Sequence, residues 1–223
     1  MTQNLDAQEL FQQYHFQMHN RYPVTFINGK GCKLYDDNGT EYIDALAGIA
    51  VNSLGHCHPA QVKAIQEQAA TLIHISNFYY NLPQSALAKK LHEISGFERS
   101  FFCNSGLEAN EGAIKLARKY GSERGKSGKI FSFTGCFHGR SIATITLGKE
   151  IYQQGFGPLP EGFEKLNYND LSDLDKITEN DIAVFIEFIQ GEGGVKPAKQ
   201  AFIDKLFKVC KEKNVLVDRK SVV

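Results

Sequence analysis

The chain has 223 residues, 42% of them hydrophobic, and its 25 basic residues balance its 25 acidic ones. It is long and apolar enough for a sizeable core, and without a charge surplus it gives no reason to expect nucleic acid or an acidic solvating tail as partner. Cys32, Cys57, Cys103, Cys136 and Cys210 are odd in number and contain no CxxC pair, which excludes a zinc ribbon and suits reduced thiols better than a disulfide framework.

From Asp6 to about Met18 the residues are helix formers with Leu10, Phe11 and Tyr14 on one face. Three short β-rich runs follow, Thr25 to Ile27, Cys32 to Tyr35 and Glu41 to Ile43, the last two joined by Asp37-Asn38-Gly39, whose Asn-Gly pair supplies the positive φ of a tight hairpin. Pro59 opens a helix to about Leu72 with Val62, Ile65, Ala69 and Leu72 on one side. These elements predict a small antiparallel subdomain.

From about Pro83 the pattern alternates. Helices are predicted over Ser85 to Ile94, Leu107 to Tyr120, from near Gly139, and over Ala201 to Lys213; strands are predicted over Ser100 to Cys103, Lys129 to Phe133, Ala183 to Ile189 and Val215 to Val217. Alternation of this kind predicts an α/β domain on a mostly parallel sheet, with ligands beyond the carboxyl ends of the strands. The loops after Cys103, Phe133 and Ile189 are therefore where chemistry is expected.

In the first loop, Asn104-Ser105-Gly106 runs into an amphipathic helix, and Ser105 with Glu108 has capping-box spacing. The same bare N–H groups, glycine and hydroxyl also make an anion site, and the residues alone leave both readings open. In the second loop, Phe137, His138 and Arg140 around Gly139 bring together a stacking face and a guanidinium suited to a carboxylate, although taken alone Phe137 reads first as core, His138 as a satisfied loop histidine and Arg140 as a solvated charge. In the third, Glu187 interrupts an apolar strand and should meet a cation or the strand's open end, and Glu192 lies in a glycine-rich turn. The GHCHP stretch, Gly55 to Pro59, lacks a fourth ligand pattern for a metal, and no GxGxxG joins a strand to a helix.

Taken together, NSGLEAN, FHGRS and EFIQGEGG resemble the class III (ω-type) pyridoxal-phosphate-dependent aminotransferases. LYDDNGTEYIDALAGIAVNSLGHCHP, HISNFYYNLPQ and GFGPLPEGFEKLNYND support this and make the acetylornithine aminotransferases the nearest group, the resemblance covering Gly29 to Val217. It implies a fold type I large domain, incomplete in this chain, behind a small α+β segment: residues 1–75 as part of the small domain, 76–217 as the first half of the cofactor-binding domain. It implies that Ser105, Gly106 and Leu107 hold the phosphate of pyridoxal phosphate, that Phe137 stacks on its ring, that Arg140 binds the substrate α-carboxylate, and that Glu192 lies near the substrate pocket. The implied reaction moves the ω-amino group of N-acetylornithine to 2-oxoglutarate, a step of arginine biosynthesis, in a cytoplasmic homodimer. Ornithine, succinylornithine, acetyl-lysine or 4-aminobutyrate as donor, and a non-catalytic cofactor-binding remnant, are the alternatives.

Three departures stand out. Leu107 replaces a usual Ala, Thr or Ser, and Phe188 replaces a usual proline. After Val217 the family's acidic segment is missing: Asp218 falls about two positions early, and no lysine takes the family's Schiff-base position, so no catalytic residue is assigned. A common sequencing adapter translates as Asp-Arg-Lys-Ser-Val-Val and a stop, so 218–223 are suspected to be non-native. The polar start, MTQNLDAQEL, carries no secretory core, and no apolar run approaches the roughly 20 residues of a membrane span.

Overall fold

A computed structural model describes residues 6–220, which form two compact units, one through Ser85 and one from Ala86. In the first, Asp6 caps α1 (Ala7–Tyr14) by accepting from the Gln8 and Glu9 N–H groups; the chain turns extended at His15, sooner than the periodicity suggested. Strands β1 (Phe26–Lys30), β2 (Lys33–Asp36) and β3 (Glu41–Ile43) form an antiparallel sheet in that order. The turn at Asn38-Gly39 is organised by the buried Asp36, whose carboxylate accepts from the Asn38 and Thr40 N–H groups and the Tyr42 hydroxyl, while Gly39 takes φ +80°.

Next, the single turn α2 (Ala47–Ala50) has positive φ at all four residues, a conformation costly for side chains with a Cβ. Asp44 holds its entry, one oxygen accepting from the Leu46 and Ala47 N–H groups and the other 2.7 Å from His56 Nε2. His56 of the GHCHP stretch is thus engaged by a carboxylate. Helix α3 (Pro59–Thr71) starts on its proline as expected, and α4 (Leu82–Ser95) begins three residues before the predicted start.

The second unit is built on a four-stranded parallel sheet in the order β5-β4-β6-β9: β5 (Phe163–Leu166), β4 (Ile130–Phe133), β6 (Ala183–Glu187) and β9 (Leu216–Lys220). Alternate residues of β4 and β6 feed two cores. Phe131, Phe133, Val184 and Ile186 pack with Phe202, Leu206, Val209 and Cys210 of α7 (Gln200–Glu212); Ile130, Ala183 and Phe185 pack with Ile114 and Ala117 of α5 (Gly106–Ser122) and Leu147 of α6 (Ile142–Leu147). Burial on both faces explains why β6 reads as an unbroken apolar run.

Three sequence expectations need correction, and one strand was missed. Ser100 to Cys103 is not a strand: a strand exists only by pairing, and no described sheet edge takes this segment, leaving Phe101 76% exposed. The predicted strand to Ile189 ends at Glu187, where the Tyr168 hydroxyl donates to the carbonyls of Glu187 (2.8 Å) and Phe188 (3.2 Å); Ile189–Gln190 (β7) then pairs with Lys196–Pro197 (β8). The edge strand β5, with two charges among its four residues, was not foreseen. Finally, β9 runs on past Val217 through Lys220, with Asp218 opposite Phe185 and Lys220 opposite Glu187; positions 221–223 of the suspected tail lie outside the described residues.

Candidate active site

Because the strands are parallel, β4 and β6 deliver their following loops to one edge of the sheet. At the start of α5, Ser105 is extended and its hydroxyl oxygen accepts from the Glu108 N–H at 3.2 Å. The Glu108 carboxylate reaches back past Ser105 to the Asn104 N–H, at 2.5 Å, so the cap is shifted by one residue from a standard capping box. The N–H groups of Gly106 and Leu107 belong to the first turn and have no intrahelical partner; the space where a Gly106 Cβ would stand is open to 4 Å.

The loop after β4 is drawn onto this helix start. Gly139 has φ +126°, and a Cβ there would lie 2.9 Å from Thr144 Oγ1, 3.2 Å from Leu107 Cγ and 3.3 Å from Leu107 Cα. Only glycine permits that approach. Leu107 therefore packs on the loop, which gives its bulk a purpose. Buried Asn110 clamps the same junction, its Nδ2 donating to the Gly106 carbonyl at 2.9 Å and the His138 carbonyl at 2.8 Å. Ser141 Oγ adds a hydrogen bond to the Glu111 carboxylate and caps α6.

Glu187, 3% exposed at the end of β6, fixes Phe137 from both sides of its residue. One carboxylate oxygen accepts from the Phe137 N–H at 3.1 Å; the other is 3.0 Å from Lys220 Nζ, which donates to the Phe137 carbonyl at 2.5 Å. The expected cation is thus Lys220, two residues beyond the unassigned Asp218, and its Nζ also lies 5.2 Å from the Phe137 ring centroid. Burial raises the pKa of Asp218 above the ordinary carboxylate value.

Half-buried Phe137 meets Tyr152 edge to face at 6.0 Å. The exposed Arg140 places its guanidinium carbon 5.0 Å from the Tyr152 centroid and 5.7 Å from that of Phe137. Glu192 is near but otherwise engaged: its carboxylate is 3.9 Å from Lys149 Nζ and 3.5 Å from the Tyr152 hydroxyl. Behind Phe137, His138 is 1% exposed, its two ring nitrogens lack hydrogen-bond partners, and burial, reinforced by the Lys220 charge, pushes its pKa down to about 3.

The family described as "Aminotransferase class-III" matches residues 15–218. The chain belongs to the class III aminotransferases. This aminotransferase chain is 49% identical over 213 residues to an acetylornithine aminotransferase of Methanocaldococcus jannaschii, a match covering 94% of the chain and 54% of the relative. It is 47% identical to another of that name from Caldanaerobacter subterraneus subsp. tengcongensis, covering 91% and 53%. Among solved structures, an ornithine aminotransferase from Toxoplasma gondii superposes with TM-score 0.90 at 33% identity, over 96% of this chain and 53% of that one. An N-acetylornithine aminotransferase from Stenotrophomonas maltophilia gives 0.78 at 37%, over 95% and 52%. The chain spans about half the length of these relatives.

Class III aminotransferases use pyridoxal phosphate, and the residues present fit it: a helix start with free N–H donors and open space for a phosphate, and in the adjoining loop an aromatic residue whose backbone Glu187 and Lys220 hold in place. The structure gathers Ser105, Gly106, Leu107, Phe137, Arg140 and Glu192 through a continuous set of contacts. Sequence reasoning missed Asn110 and Tyr152, and also the contacts that Lys220 of the suspected tail makes with Glu187 and Phe137. Phe188, the other departure, packs edge to face on Phe207 of α7 at 6.3 Å and beneath the Arg219 guanidinium at 5.5 Å. Among the described residues no helix is long and apolar enough to cross a membrane.

Proposed function

We propose that this chain forms the phosphate-anchoring and carboxylate-binding part of a cytoplasmic, homodimeric aminotransferase that moves the ω-amino group of N-acetylornithine to 2-oxoglutarate in arginine biosynthesis. In this reading residues 1–75 belong to the small domain, 76–217 to the cofactor domain, and 218–223 are a non-native tail whose Lys220 supplies the cation beside Glu187 in this chain. Ser105, Gly106 and Leu107 donate to the cofactor phosphate at the positive end of α5. Phe137 covers one face of the cofactor ring and excludes water from it. Arg140 takes the α-carboxylate of the amino acid, and Glu192 borders the substrate pocket. Pyridoxal phosphate, when bound, supplies the electron sink for amino-group transfer.

The observation that carries this reading is the seat of Gly139 on Leu107, which puts the aromatic and guanidinium loop against the helix start. Substrate choice rests on side chains, so the 49% identity to an acetylornithine aminotransferase outweighs the higher TM-score to an ornithine aminotransferase. The latter supports ornithine as second donor reading. Calorimetric titration of the chain with pyridoxal phosphate tests the site: binding should be saturable, lost on dialysis, competed by inorganic phosphate, and weakened about tenfold by Ser105→Ala or Phe137→Ala. Equal affinity in all three proteins, or indifference to phosphate, would rule the placement out.

A further inference from the structure

Among the described residues Arg140, the proposed carboxylate ligand, makes no ion pair or hydrogen bond, although Glu192 shares its surroundings through Tyr152. A guanidinium without a partner would be expected to draw in the Glu192 carboxylate, because a bidentate pair is the strongest contact it can make. Two features prevent this. The Tyr152 ring attracts the guanidinium from below, at 5.0 Å, through a contact that consumes none of its five N–H donors. The Tyr152 hydroxyl, at 3.5 Å, together with the Lys149 ammonium, which also donates to the Glu192 carbonyl, holds the Glu192 carboxylate elsewhere.

We propose that Tyr152 is a positioning residue for substrate-carboxylate recognition: its ring carries Arg140 and its hydroxyl restrains Glu192, so that the guanidinium stays unpaired until the carboxylate of an amino or 2-oxo acid arrives. This rests on the proposed role of Arg140 and adds a residue to it. The site then selects ligands by a carboxylate that outcompetes an internal one.

Calorimetric titration with 2-oxoglutarate at constant ionic strength separates the two layers. Arg140→Gln should weaken binding at least tenfold. Tyr152→Phe keeps the ring but frees Glu192 and should weaken binding about threefold; Tyr152→Leu loses ring and hydroxyl and should weaken it about tenfold. Adding Glu192→Gln to Tyr152→Leu removes the internal competitor and should recover most of that loss, which a merely structural role for the tyrosine would not allow. No saturable binding, or full binding by Arg140→Gln, overturns the Arg140 reading and this proposal with it. Weak binding by Arg140→Gln with parental binding by Tyr152→Leu, or a Tyr152→Leu defect that Glu192→Gln leaves untouched, overturns the tyrosine proposal alone.

Discussion

Mild acid should destabilise the second unit through His138, and a leucine there should abolish that sensitivity. The imidazole is enclosed, unpartnered and close to the Lys220 charge, so the folded chain holds its pKa near 3 against an ordinary 6.5. For a base whose folded pKa is depressed, the unfolded chain takes up the proton first as pH falls. The neutral imidazole's contribution is therefore complete above about pH 6.5 and is lost progressively down toward the folded pKa. At about pH 5 the unfolded state is 1.5 units below its pKa of 6.5, which at 1.36 kcal/mol per unit is about 2 kcal/mol. Urea unfolding of the chain and of His138→Leu, at about pH 7.5 and pH 5, isolates this amount, because every other titrating group is common to both proteins. The parent should lose about 2 kcal/mol more than the variant on acidification. At the higher pH the substitution should cost less than about 1.5 kcal/mol, since it removes two unpaired polar atoms at similar volume. Parallel losses in the two proteins would refute the argument by showing that His138 finds hydrogen-bond partners or takes up its proton in the folded chain.

Two further substitutions probe the frame of the site. Asn110→Ala removes both bonds of the clamp and leaves the His138 carbonyl buried without a donor, so a loss of about 2–3 kcal/mol is expected in denaturant unfolding, with faster amide exchange across 137–140. Glu187→Leu leaves the Phe137 N–H without its acceptor and the Lys220 ammonium with only the Phe137 carbonyl, and a loss of about 2–3 kcal/mol is expected by the same measurement; Glu187→Gln, which keeps an acceptor for Phe137, should cost less.

What the sequence disclosed follows from which forces are local. Helix α5 was legible because Ile114, Ala117 and Gly121 recur at helical spacing, and β6 because a strand buried on both faces has no polar alternation to hide it. The same helical line passes through Asn110, four residues before Ile114. A polar residue on a buried face was thus a readable signal that something had to satisfy it. Nothing comparable marked Tyr152 or Lys220. Each acquires its role from partners dozens of residues away: Tyr152 from Glu192 and Lys220 from Phe137. The end of β6 at Glu187 was equally hidden, for it is set by the Tyr168 hydroxyl arriving from another loop.

The segment Ser100 to Cys103 shows where propensity stops being sufficient, and it yields a test of what the site depends on. Its residues favour a strand, yet they remain unpaired, with Phe101 exposed and its ring 3.4 Å from where a Gly112 Cβ would stand. The start of α5 is nevertheless in place, because Asn110, Gly139 and Ser141 anchor it from the other side. If those contacts suffice, Phe101→Ser should change stability by less than about 0.5 kcal/mol, the usual range for exposed positions, and leave phosphate affinity unaltered. A fall in affinity beyond about threefold, which corresponds to roughly 0.7 kcal/mol, would mean that the preceding segment helps set the helix start, and that the loop contacts alone do not hold the anion site open.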